Sequence, residues 1–346
     1  MKPQKSISRR AFLKQGSTAL CGVALAPHLS TLPSPDQQTN HLLGRVLFNG
    51  VHTYQQPDTN SLANGMHDHN DILPLLQLAK GVTNHPNGEI WFLIKDDVYI
   101  HSRDIQLVQN KLNKPREDVT RSGRLGEVTV PFTEAINTDK QNAVAYQLFF
   151  YGSVHWIHGL GENQETGKRY YLIIEDRWNE SYYVDATHMR IIEDGELAPI
   201  DPVGDLERKR ILVDTSQQML YAYQDGELVM ASAVSTGQAT ENANLSTPAG
   251  EYFINYKRPT RHMVHSDKIG INDSELYGVP WVSYFTETGI AFHGTYWHND
   301  YTHPRSHGCV NMPIQAAKWI YRWSDPPIAP RAKKHTDRYG TTVTVI

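Results

Sequence analysis

Ile290-Ala291-Phe292-His293-Gly294-Thr295, followed eleven residues later by Ser306-His307-Gly308-Cys309-Val310-Asn311-Met312, is the stretch whose reading decides the C-terminal part of the chain. The first segment reads as a strand, Gly289 to His293, that ends at Gly294. The second reads as a glycine-flanked turn between strand-like text and a helix that opens at Pro313, with Ile314, Ala317, Ile320 and Tyr321 on one face. Gly308 lets the backbone approach a ligand closely, and turn amides can converge on a developing oxyanion. A neighbouring imidazole, such as that of His293, can accept a thiol proton, or pair with the thiolate and lower its pKa. The residues alone leave a second reading open, in which Cys309 is a small packed hydrophobe, the usual fate of a free cysteine.

Working upstream, Arg210-Ile211-Leu212-Val213-Asp214, Gln218 to Tyr223 and Glu227 to Ser235 read as strands, with Asp225-Gly226 as a hairpin turn. Thr247 to Tyr252 turns into a strand over Phe253 to Tyr256. Gly278 to Phe285 is another strand, and Gly340 to Ile346 closes the unit. Residues 209–346 are therefore expected to be mainly β with one well-marked helix. Zinc ligation by His298, His303, His307 and Cys309 is the competing use of this region, but their spacings fit no common zinc pattern. His262 and His265 read as pocket-lining or surface residues.

Residues 41–200 carry a weak internal repeat at an offset of 82–84. Leu43-Gly44-Arg45-Val46 matches Leu125-Gly126-Glu127-Val128. Phe92 to Asp96 matches Leu172 to Asp176, and Tyr99-Ile100-His101 matches Tyr183-Val184-Asp185. Short alternating runs bounded by Gly, Asn and Asp are the pattern of half-buried strands. Two tandem barrels, 41–120 and 121–200, fit this pattern and resemble bacterial SH3-like modules. Leu73 to Ala79 reads as a helical stretch, His67-Asp68-His69 as an exposed turn, and Gly161 to Gly167 as a polar hairpin loop. Residues 201–208 read as a linker.

The first 26 residues resemble a twin-arginine signal: Arg9-Arg10, Phe12, then a short apolar run from Ala19 to Ala26. Such a signal is read by the twin-arginine export machinery, which places the protein outside the cytoplasm, in the cell wall or periplasm. The run is too short for a membrane span, which needs about 20 apolar residues. Cys21 raises lipidation, against which stands the bulky Leu20. Residues 27–40 form a proline-rich polar tether. Without the leader, 28 basic residues face 37 acidic ones, a net charge of −9, which argues against a nucleic-acid partner. Cys309 is then the one remaining cysteine, so no internal disulfide exists.

The pairing of His293-Gly294-Thr295 with Ser306-His307-Gly308-Cys309-Val310-Asn311-Met312 resembles the catalytic motifs of the L,D-transpeptidases. Ser246-Thr247-Pro248-Ala249-Gly250, Gly278-Val279-Pro280-Trp281 and Trp297-His298-Asn299-Asp300 support the likeness, which spans 209–325. The resemblance implies Cys309 as nucleophile and His293 as proton acceptor and donor, with the Gly294 carbonyl orienting the imidazole. Gly308 and Cys309 would supply oxyanion amides, and Ser306 and His307 would shape the turn and the pocket, with proton transfer the alternative role for His307. Tyr296, Trp297 and Tyr301 would line the substrate cleft. Many members carry Arg where this chain has Asn311, so contacts to the substrate carboxylate would differ. The implied reaction is acyl transfer from a tetrapeptide stem of peptidoglycan with release of D-alanine, with no cofactor and with carbapenems as covalent inhibitors. Hydrolysis by an L,D-carboxypeptidase, or a non-catalytic protein that binds the glycan or peptide of the wall, are the alternatives.

Overall fold

A computed structural model describes residues 42–81, 89–138, 144–202, 208–239, 245–264 and 275–346. The expected leader and tether, with Cys21, lie outside them, as do His265 and most of the expected linker. The chain is mainly β. Among the described residues no helix is long and apolar enough to cross a membrane.

The first β unit has two sheets. Leu42–Val46 lies between Ile72–Leu75 and Ile105–Val108, and a five-stranded sheet runs in the order Ala63–His67, Val51–Tyr54, Val98–His101, Ile90–Lys95, Gln77–Lys80. Val46, Phe92, Ile94, Ile100 and Ile105 fill the space between them. The helix expected over Leu73 to Ala79 is two strands instead. Leu73 and Leu75 point inward while Ile72 and Pro74 are exposed, a period of two that a helix cannot satisfy. Pro74, which has no N–H to give, sits on an edge strand, where that loss is tolerated.

The second unit is one antiparallel sheet of seven strands. Its order is Ala145–Phe150, Phe132–Ile136, Ser181–Asp185, Arg169–Ile174, Val154–Glu162, Arg124–Val128, Met189–Ile191. The sequence repeat has a structural counterpart at the closing corner. Val98–His101 passes through a 3-10 turn, Ser102–Asp104, into Ile105–Val108, and Ser181–Asp185 passes through Ala186–His188 into Met189–Ile191. The matched residues His101 and Asp185 both cap their turn, accepting from the amides of Arg103 and Thr187.

The C-terminal unit packs two five-stranded sheets around the helix Ile314–Trp323. One sheet runs Glu227–Ala233, Met219–Gln224, Lys209–Asp214, Thr342–Val345, Gly250–Phe253. The other runs Val310–Met312, Ala291–Gly294, Glu275–Tyr284, Tyr256–Val264, His335–Thr336. Pro313 is the N-cap rather than the first helical residue. Ala317, Ile320, Tyr321 and Trp323 form the buried helix face. Past the helix C-terminus, where carbonyls lack partners, two buried amines serve as donors: Lys209 to Trp323 O at 2.7 Å and Lys257 to Ser324 O at 2.8 Å. The apolar core does not stop near residue 200. Leu125, Val154, Trp156, Ile192 and Leu197 belong to the C-terminal cluster, and Tyr277 belongs to that of the second unit.

Candidate active site

Ala291–Gly294 and Val310–Met312 pair in parallel, with Phe292 opposite Val310, His293 opposite Asn311 and Gly294 opposite Met312. Side chains alternate along strands. His293 and Asn311 therefore share a face, and Cys309, in the turn that directly precedes the second strand, packs against the cluster that includes Ala291 of the first. Residues far apart in type but close in sequence are brought together by one parallel pair.

The turn that presents the thiol is tied down on its other side. Ser235 and Asn311 exchange backbone hydrogen bonds at 3.0 and 2.8 Å, Gln238 N donates to Ser306 O at 2.9 Å, and Thr247 Oγ1 donates to Gly308 O at 2.7 Å. Gly308 has φ +119°, a conformation L side chains rarely adopt. Gly237 is required for closeness instead: a Cβ there would lie 2.0 Å from Leu245 O and 2.8 Å from Gly308 Cα. Ser306 closes the turn from within, its hydroxyl donating to Cys309 O and accepting from Gly308 N at 3.1 Å. The Gly308 amide is thus engaged with Ser306. His307 is exposed.

His293 is buried, and its Nδ1 lies 3.2 Å from Gly294 O. A carbonyl only accepts, so Nδ1 carries the proton and Nε2 is left as the acceptor. Burial lowers its pKa to about 4, opposed by the Gly294 bond. Burial pushes the Cys309 thiol up, partly offset by the Ala291 backbone. Both shifts favour the uncharged forms, so the resting pair is a neutral thiol and a neutral imidazole rather than a thiolate and an imidazolium. Cys309 is partly exposed, and its Sγ lies 4.0 Å from Gly289 O. A thiol has a single rotor, so rotation about χ1 is the smallest motion that turns it toward the imidazole, and catalytic contacts are commonly loose without substrate.

The loop after Gly294 forms the wall beside this pair. Trp297 is half-buried with its ring 5.6 Å from that of His293, and half-buried Tyr301 lies 5.6 Å from the His298 ring. Tyr296 departs from the expected cleft position. It is buried, stacks on Phe150 at 5.6 Å and donates its hydroxyl to Tyr277 O at 2.7 Å, so it joins the units instead of facing substrate. Asn311 also departs from the expected ligand role. It is buried, and its Nδ2 lies 2.7 Å from His298 Nε2. His298, weighed from sequence only as a metal ligand, is the residue of this site that sequence reasoning missed. It is buried, and burial lowers its pKa to about 3. Its place five residues after His293 in one loop was the available signal. Among the described residues no group of His, Cys, Asp and Glu is placed to hold a metal.

A cysteine on a glycine turn, a neutral imidazole held by a carbonyl on the adjacent strand, and a β scaffold define a thiol acyl-transfer type of site. Residues 208–345 match the family described as YkuD, L,D-transpeptidase catalytic domain. No curated protein matches the chain. Among solved structures it is similar to a mutant L,D-transpeptidase of Enterococcus faecium, with 21% identity over 41% of this chain and 50% of that one, and a TM-score of 0.31. It is also similar to an L,D-transpeptidase of Stackebrandtia nassauensis, with 24% identity, 42% and 58% coverage, and a TM-score of 0.29. A third likeness is to an L,D-transpeptidase of Mycobacterium smegmatis, at 15% identity, 56% and 89% coverage, and a TM-score of 0.33. The chain thus spans 50% and 58% of the first two.

Proposed function

We propose that the protein is a peptidoglycan L,D-transpeptidase acting outside the cytoplasm. What supports this reading is His293, held by Gly294 O and paired in register with Asn311, two residues after Cys309 in the turn that opens that strand. Cys309 Sγ attacks the carbonyl between the third residue of a tetrapeptide stem and its terminal D-alanine while His293 Nε2 takes the thiol proton. With Gly308 N–H on Ser306, the Cys309 amide is the donor assigned to the oxyanion. The C–N bond breaks, D-alanine leaves with the proton from His293, and a thioester remains. An acceptor amine then attacks the thioester and the thiol is restored. Ser306 fixes the turn, and Trp297 and Tyr301 border the cleft. No step calls for a cofactor.

Hydrolysis of the same thioester is the second reading, favoured by the partial exposure of Cys309. Products from purified tetrapeptide muropeptides, with and without an added acceptor amine, separate the two. Crosslinked or amine-capped product supports transfer, and tripeptide alone in the presence of amine contradicts it. The two N-terminal β units are proposed as SH3-like modules that meet glycan or peptide, with export through the twin-arginine machinery.

A further inference from the structure

A cleft of about 360 Å³ opens beside the thiol, lined by Asn255, Tyr256, Arg258, Arg261, Tyr284 and Gly289, with Glu287 at the rim. Gly289 is the residue whose carbonyl faces Cys309 Sγ. The Tyr284 ring stacks on Tyr256 at 5.2 Å and its hydroxyl lies within electrostatic reach of Arg261, Arg258 and Cys309. The cleft therefore shares Gly289 with the surroundings of the nucleophile, and two arginines also line it.

The two arginines are held across a joint. Asp176, from the second β unit, takes Arg258 at 2.7 Å and Arg261 at 2.8 Å on one carboxylate oxygen and accepts from His262 N at 2.7 Å on the other. Two guanidinium groups share one half-buried carboxylate, and the acidic side chain that lines the cleft, Glu287, is exposed. The Arg258 Nε has no hydrogen-bond partner among the described residues. Arg258 and Arg261 side chains are 14% and 23% exposed, so the pair is held nearly out of water yet open to the cleft. A guanidinium offers five N–H donors in a planar fork, and the pair has donors and charge to spare. The ligand that matches is a carboxylate, which takes such forks bidentately.

We propose that this cleft is a carboxylate subsite, assembled by Asp176 of the second β unit, that seats the stem peptide with its scissile carbonyl at Cys309. The proposal rests on the transpeptidase reading for the identity of the peptide. The carboxylate can come from the terminal D-alanine or from within the stem. Arg258 and Arg261 are binding residues in this account, and Asp176 is a positioning residue.

The test is equilibrium binding to the full chain carrying Cys309→Ala, which needs no turnover. Three tetrapeptides are titrated calorimetrically: the free acid, its C-terminal amide, and a form amidated at the internal carboxylates. One of the two amidations is expected to weaken binding about tenfold, the worth of a charge-assisted contact, and so to identify the source. Adding Arg261→Gln should weaken the free acid to the level of that amide and leave the amide unchanged. Arg261→Lys should recover part of the loss, and Asp176→Asn should mimic Arg261→Gln with an unaltered thermal midpoint in the peptide's absence for Arg261→Lys. Equal weakening of charged and amidated peptides by Arg261→Gln, no effect of either amidation, or no binding to Cys309→Ala would overturn the subsite. Failure of the wild type to acylate, with this charge dependence intact, would sink the enzymatic reading and spare the subsite.

Discussion

The two N-terminal β units turn their closing corner in the same way, with His101 and Asp185 as matched caps, yet they are joined to the catalytic unit by different physics. The second unit is fused through a core. Trp156, Val154 and Leu197 sit in the catalytic unit's apolar cluster, and Tyr277 returns the contact by packing its ring near Phe149 and Tyr182, each at 5.9 Å. The first unit is held by directed hydrogen bonds to the loop after Gly294. Arg45 is buried over the Phe150 ring and donates to Gln106 Oε1 at 2.8 Å and to Tyr296 O at 2.7 Å. Asn299 Nδ2 donates to Ser102 O at 3.0 Å and Ile105 O at 3.1 Å, and Arg305 lies over Phe48. Apolar burial is large and non-directional, whereas hydrogen bonds are small in net energy and strict in geometry. The difference teaches that the second unit sets whether the catalytic unit is stable, while the first sets where the Trp297 and His298 wall stands.

This contrast can be broken at its apolar end first. Tyr277→Ala should cost about 3–5 kcal/mol, the range for losing a large buried ring, read as a lower urea midpoint of a transition shared by both units. A loss under about 1 kcal/mol would mean that the joint is not a core. Arg45→Ala should cost about 2–3 kcal/mol, since it strands several buried acceptors. Turnover should fall further than folded fraction explains, and Arg45→Lys should restore only part of it. Turnover untouched in a folded Arg45→Ala protein would reduce the first unit to a passenger. Asn299→Ala, with two carbonyls released, should cost about 1 kcal/mol and slow kcat a few-fold while leaving the midpoint of the second unit's joint in place. The smallest effect is expected from mild acid. His293 has its folded pKa lowered to about 4 from 6.5, so the imidazole stays neutral as pH falls from 7 and the base is lost only as pH drops through about 4. The rate profile of the folded protein should show no limb near 6.5. A limb there would place His293 in water.

Most strands and the helix of the catalytic unit were legible because their apolar residues alternate, or recur on one helix face, between turn signals. The strand expected over Phe253 to Tyr256 is instead the junction of Gly250–Phe253 and Tyr256–Val264, and the latter, charged and interrupted by Pro259, does not alternate cleanly. Cys309 and His293 were singled out by the likeness of their motifs to those of the L,D-transpeptidases, since a glycine turn and a strand end alone leave a free cysteine open between a nucleophile and a packed hydrophobe. Leu73 to Ala79 misled, since a short apolar run has no period long enough to separate strand from helix. Tyr296 and Asn311 misled for another reason. Both are neighbours of the nucleophile in sequence, but their partners, Tyr277, Phe150 and His298, are chosen by tertiary packing. The carboxylate of Asp176 beside Arg258 and Arg261 has no local signal at all, because the partners are more than eighty residues apart on different units.

The central claim is that Cys309 carries the acyl group. Intact-mass analysis of the full chain mixed with a tetrapeptide donor, followed by peptide mapping, tests it directly. The account predicts one tripeptide adduct on the fragment containing Cys309, one D-alanine released per adduct, and neither from the Cys309→Ala protein. D-Alanine release that persists in Cys309→Ala, or an adduct mapped to another residue, would contradict it.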